Sequence, residues 1–209
     1  MNRGTLRTLL GKRLQDTVDD QFDDTALNDL INVGIGLLQN EILKVNPLAF
    51  VSIDTFASVA SQPYYEVPAN IYHEVELGIA DTSAPEAYRP LTKVPWRART
   101  REAGSNEVYA RLGQYWWIQP TPTASTAAYF RLIWHYALSL SDDTTEPRIH
   151  SSLHTCIVDY AVLEALGETY EGADRVIQRL DKKLIAIPAI YAMDPIPMSI
   201  GAGPSFRTT

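Results

Sequence analysis

Between Asp24 and Val45, apolar residues recur at three- and four-residue steps. Leu27, Leu30, Ile31, Gly34, Leu38, Ile42 and Val45 therefore share one face of a helix. Asp24 is placed to cap its start by accepting from free backbone N–H groups, and Pro47 to end it. A second set, Val33, Ile35 and Leu37, widens the stripe and predicts neighbours on more than one side. Residues 4–18 carry Leu6, Leu9, Leu10, Leu14 and Val18 and predict a shorter amphipathic helix. The link between the two is acidic, with Asp16, Asp19, Asp20, Asp23 and Asp24. It lacks the alternating ligands, central Gly and closing Glu of an EF-hand loop. Capping and solvation of a helical hairpin account for it better.

After Pro47 the period falls to two. Val51, Ile53, Ala57 and Val59 alternate with Ser52, Asp54 and Ser58, which predicts a strand within Phe50–Ala60 with the apolar set on one side. Tyr64-Tyr65-Glu66-Val67 lies between Pro63 and Pro68 and suits a sheet edge. Tyr72–Ile79, Tyr88–Val94, Val108–Ala110, Tyr115–Gln119 and Tyr129–Ala137 are further strand candidates, with a turn at Gly113-Gln114. The helical period resumes at Arg148. Ile149, Leu153, Cys156, Tyr160 and Leu163 form one stripe that Gly167 is placed to end. Val176, Ile177, Leu180, Leu184 and Ile187 form another, stopped by Pro188. Residues 189–209 hold Pro195, Pro197, Gly201, Gly203 and Pro204 and show neither period.

These elements predict an α+β protein. Hairpins at residues 1–46 and 147–188 form a four-helix bundle, an antiparallel β domain is inserted over 47–146, and 189–209 is an extended C-terminal arm. At 209 residues and 45% hydrophobic, the chain can bury a proper core. A net charge of −7 argues against broad phosphate binding. The single Cys156 rules out an internal disulfide framework. Nothing at the start reads as a signal peptide and no apolar run reaches membrane-spanning length, so a soluble protein made in a cytoplasm is expected.

The order of pieces resembles the head-to-tail adaptor (connector) proteins of tailed bacteriophages. The resemblance rests on Gly4-Thr5-Leu6-Arg7, the run from Asp24 to Asn32, Tyr65-Glu66-Val67-Pro68, Gly113–Pro122 with its Pro-x-Pro, and Arg131–Ala137 followed by Ser141-Asp142-Asp143. It spans about residues 4 to 187 and leaves Ala80–Arg101 and the arm unmatched. It implies a virion protein assembled in the host bacterial cytoplasm. Copies would form a homo-oligomeric ring, typically of twelve subunits, beneath the portal protein. The next tail component (a stopper, nozzle or tail tube protein) would dock on it, and DNA would pass through the lumen without specific binding. No cofactor, membrane or catalytic group is implied.

The residues suggest where contacts would fall. Tyr191, Met193, Ile196, Met198, Ile200, Phe206 and Arg207 make the arm too apolar for an ordinary disordered tail, so it is expected to order against the portal or an adjacent subunit. Arg175, Arg179, Lys182 and Lys183 form a basic helical face suited to docking on an acidic portal surface. Arg97, Arg99 and Arg101 share one side if extended. They could meet Asp19, Asp20 and Asp23 of a neighbouring subunit. Trp116 and Trp117 point to opposite faces of a strand, which predicts one in the core and the other at a subunit or tail-side contact.

Other chemistry is thinly represented. His150 and His154 have the spacing of a metal pair, but no Glu follows the first His, and a polar flank of a packed helix explains them better. His73 and His135 show no partner in sequence, and no nucleophile elbow, phosphate loop or dinucleotide fingerprint is present. A carbohydrate-binding β module using an exposed tryptophan is the alternative reading. A hydrolase dependent on His150 and His154 is a weaker one.

Overall fold

Helical and strand periods sort into separate parts of the chain in the computed structural model, which describes residues 1–15, 22–69, 71–81, 84–103, 107–167 and 169–193. One unit comprises Met1–Ala49 together with the chain from Ala137 through its last helix, and the other is Phe50–Tyr136.

The first unit contains α1 (Arg3–Gln15), α2 (Asp24–Val45), α4 (His154–Leu166), α5 (Ala173–Leu184) and α6 (Ile187–Met193). Among the described residues this makes five helices where the sequence predicted four. Pro188 does not stop the preceding helix but sits in the first turn of α6, where a missing N–H costs nothing. Tyr191, expected in the arm, is 2% exposed, and its carbonyl accepts from Asn46 Nδ2 at 3.0 Å. Its hydroxyl accepts from the His150 N–H at 3.1 Å. Asp23, not Asp24, caps α2, with Oδ1 accepting from Ala26 N–H at 2.8 Å.

The centre of this unit is α4. His154, Cys156, Ile157, Val158, Asp159, Ala161 and Val162 are all buried, so the helix is covered nearly all round instead of along one stripe. α1, α2 and α5 pack on it, and α6 packs on α2. The closest approach is at Gly34, where a Cβ would lie 2.4 Å from the Ile157 carbonyl oxygen. Elsewhere on α2, Val33 and Leu37 remain 42% and 37% exposed. Residues 137–146, grouped with the β insert by sequence, run along α2 and α1 instead. Leu138 N–H donates to Gln39 Oε1 (3.1 Å), Leu140 N–H donates to Asn32 Oδ1 (2.9 Å), and Asp143 accepts from Arg3 and Arg7.

The second unit is a sandwich of two four-stranded sheets. Sheet A has the order β1-β8-β3-β4, from Val51–Phe56, Phe130–Tyr136, Ile71–Asp81 and Ala84–Pro90. Sheet B has the order β2-β7-β6-β5, from Tyr64–Glu66, Tyr115–Gln119, Val108–Leu112 and Thr92–Lys93. All pairings are antiparallel except β5 with β6. Phe56, Tyr65, Leu77, Ile79, Tyr109, Trp116, Ile118, Phe130, Leu132 and Trp134 fill the space between the sheets. In β1 the expected faces are reversed, because the polar set turns inward. Asp54 (5% exposed) accepts from the Trp134 indole, and Phe56 joins the core. Just beyond the strand, Ser58 is 1% exposed and bonds Thr126 N–H and Ala124 O.

Two glycines of α2, separated by Ile35, should respond in opposite directions. Gly34→Ala must push the α2 and α4 backbones apart and is expected to cost about 2 kcal/mol, within the range for overpacking. Gly36, with nothing within 4 Å of its Cβ position, should gain up to about 1 kcal/mol as Ala. Urea midpoints of the two variants check the pair.

His154 adds a pH dependence. Burial holds its imidazole below the ordinary 6.5, and Nε2 lies 2.8 Å from the Ile149 carbonyl, to which it donates. The folded state therefore takes up this proton less readily than the unfolded chain, so its contribution is whole above 6.5 and is lost as pH falls below it. Stability followed by urea unfolding between pH 8 and pH 5 should fall less steeply in His154→Gln than in the parent.

Candidate docking surfaces

Asp159 is the most completely buried charge among the described residues, with its side chain 0% exposed on α4. Three cations converge on it from two other helices. Arg179 on α5 donates through Nε at 3.0 and 3.1 Å and through Nη2 at 2.5 Å, while Arg13 on α1 donates to Oδ1. Lys183 on α5 lies 3.4 Å from Oδ2 and also donates to Thr155 Oγ1 at 2.5 Å. Arg179 and Lys183, expected on a docking face, are thus turned inward to this carboxylate. What α5 leaves exposed is Asp174, Arg175, Gln178, Asp181 and Lys182, a face of mixed sign. The basic docking helix of the sequence reading is therefore reduced to Arg175 and Lys182.

The β unit buries two further carboxylates, each against a tryptophan. Trp134 Nε1 donates to Asp54 Oδ2 at 2.6 Å, and Trp116 Nε1 donates to Glu74 Oε2 at 2.7 Å. Glu74 also pairs with Lys93, and Arg111 stands 3.9 Å away. Trp116 is in the core as one of the two tryptophans was expected to be, at 0% exposed. Trp117 points to the other face but is only 9% exposed, packed with Val108 and Ala110 beneath Val94 and Trp96. Neither indole forms an open platform for a subunit, a tail partner or a sugar.

The cover over Trp117 comes from the basic stretch. Arg97, Arg99 and Arg101 do not form an extended row, because Trp96–Ala98 is a 3-10 turn running into α3 (Arg99–Ala103). Arg99 stacks its guanidinium 3.8 Å over the Trp96 ring and donates to the Trp96 carbonyl at 2.9 Å. Arg97 and Arg101 are exposed. The acidic residues proposed to meet them are divided, since Asp23 is committed to its cap while Asp19 and Asp20 lie outside the described residues. Met193 closes α6, and Ile196, Met198, Ile200, Phe206 and Arg207 lie outside the described residues.

The histidine pair does not share a helical face. His150 precedes the helix as an exposed cap whose Nδ1 bonds Ser152, whereas His154 is buried. His73 and His135 stack ring on ring at 5.9 Å. Among the described residues no three His, Cys, Asp or Glu side chains gather where they could hold a metal ion. No helix among them is long and apolar enough to cross a membrane.

The outward side of sheet B carries a further exposed group that no functional motif in the sequence marks. Tyr64, Leu112 and Tyr115 are 46%, 52% and 46% exposed there, beside the exposed Glu66. The signal was present for Tyr64, Glu66 and Tyr115, because strict alternation through Tyr64–Glu66 and Tyr115–Gln119 assigns them to the face opposite Tyr65 and Trp116.

Asp159→Asn should destabilise the helical unit by about 3 kcal/mol, since it leaves three cations without their buried counter-charge. Arg175→Ala, on the exposed face of the same helix, should change stability by less than about 0.5 kcal/mol. Thermal and urea unfolding of the two variants measure the contrast.

A search of curated proteins finds no match to the chain. A family model, that of the SU10 adaptor protein, matches residues 1–191 and so covers α1 through all but the end of α6. The family is one of structural phage proteins, not of enzymes, and its members are virion components that interact with portal and tail components. The chain, with its helical unit from both ends and its inserted sandwich, belongs to the SU10 adaptor protein family.

Proposed function

We propose that this protein is a head-to-tail adaptor whose copies form a ring, dodecameric like the resemblance implies, under the portal. The ring extends the DNA channel and offers a platform to the next tail component. The match over residues 1–191 carries this reading. Two physical features support it. First, exposed apolar positions survive on both units: Val33 and Leu37 along α2, and Tyr64, Leu112 and Tyr115 on sheet B. Apolar surface of this kind suits a chain that finds its partners in an assembly.

Second, the negative charge is segregated. Residues 1–49 and 137–196 carry seventeen Asp and Glu against ten Lys and Arg, whereas the remaining residues carry eight of each. The surplus of −7 thus belongs wholly to the helical unit. An acidic wall repels phosphates, which suits a channel through which DNA slides without being held. Around such a ring, contacts that are modest singly add up by repetition.

Light scattering of the full chain mixed with its portal ring tests the reading, beside a chain ending at Met193. The expected result is a stable complex carrying about a dozen copies, weakened in the shortened chain because the arm contributes to binding. Equal binding by both chains would retain the adaptor and remove the arm from it. Absence of any complex would overturn the adaptor reading.

A further inference from the structure

The outer face of sheet B is built in rows across β2, β7 and β6. Glu66 pairs with Tyr115 and Tyr115 with Leu112, and in the next row Tyr64 pairs with Trp117 and Trp117 with Ala110. Val108, Ala110 and Trp117 lie beneath Val94 and Trp96. The Glu66–Tyr115–Leu112 row and Tyr64 have no such cover among the described residues. All four residues are exposed, and Glu66 makes no ion pair among the described residues.

We propose that this uncovered end receives residues 194–209 of a second copy, with Phe206 over Tyr64 and Tyr115 and Arg207 against Glu66. The need for a second copy rests on the adaptor reading. The covered end of the same face shows the chemistry that suits it, an aromatic ring laid on the sheet with a guanidinium stacked 3.8 Å above it, as Arg99 does on Trp96. Phe206-Arg207 brings the same two groups side by side. Arg207 is the one cation in residues 194–209, and Glu66 is the acid standing in the uncovered row. The sixteen residues beyond Met193 can span about 50 Å at roughly 3.3 Å each, enough to reach across to a neighbouring molecule. The segment lies on the face and does not add a strand at the β2 edge. Pro63 and Pro68 bracket that short strand, and the Tyr64 carbonyl already accepts from Gln62 Nε2 at 2.7 Å.

Cross-linking with a short bis-maleimide reads the contact. Cys156 does not interfere, because it is fully buried and burial pushes its thiol up to about 11. A Tyr115→Cys chain is mixed with a Phe206→Cys chain on the portal ring, and linked dimers are expected on a denaturing gel. Glu66→Arg in the first chain should lower the yield several-fold, and Arg207→Glu in the second should restore it. Links that form only within single chains carrying both cysteines, and never in the mixture, would overturn the proposal in favour of docking on the segment's own copy. A normal portal complex without any link would also overturn it and leave the adaptor reading standing. Loss of the portal complex by the unaltered chain would overturn both.

Discussion

One carboxylate with no contact with water constrains the helical unit. Asp159 sits on α4, and its counter-charges arrive from α1 near the start of the chain and from α5 after the β unit. A buried charge without partners is prohibitively costly, so the unit can close only when Arg13, Arg179 and Lys183 are all in reach. The pairing fixes how α1 and α5 lie on α4, a specificity that apolar contacts between leucine-rich helices would not supply alone. Gly34 acts with it, by letting α2 approach α4 until backbone meets backbone. α4 is thereby enclosed, and Cys156 and His154 are buried with it.

The β unit applies the same rule on a smaller scale. Asp54 and Glu74 are each held by a tryptophan N–H from another strand, which satisfies the polar ends of Trp134 and Trp116 while their rings fill the space between the sheets. Lys93 brings a second donor to Glu74 from sheet B. These bonds tie strands together at defined registers, which matters in a sandwich whose strands are as short as β2 and β5.

The two units thus divide the work of an adaptor. The helical unit carries the excess negative charge and spends half of its ten cations internally, on Asp159 and Asp143. The sandwich is close to neutral, with eight acidic and seven basic residues, and presents aromatic side chains at one end of sheet B. Under the proposed function, repulsion of DNA and recognition of protein would then be properties of different surfaces.

Periodicity in the sequence located the longer helices and most strands, but not α3 or α6. α2 spans Asp24–Val45 and β7 spans Tyr115–Gln119, both as expected, because long amphipathic runs and strict alternation are local signals. The acidic balance and the lack of a catalytic motif were equally visible. Side-chain partners were not. Arg179 and Lys183 look like a docking face until Asp159, twenty or more residues away, claims them. Asp54 and Ser58 look solvent-facing until Trp134 and Thr126 meet them from β8 and the chain before it. One of Trp116 and Trp117 looks exposed until Trp96 packs over Trp117. Pattern is written in neighbouring residues and can be read along the chain. Whether a charge faces water or another charge depends on residues distant in sequence, and only their packing decides it.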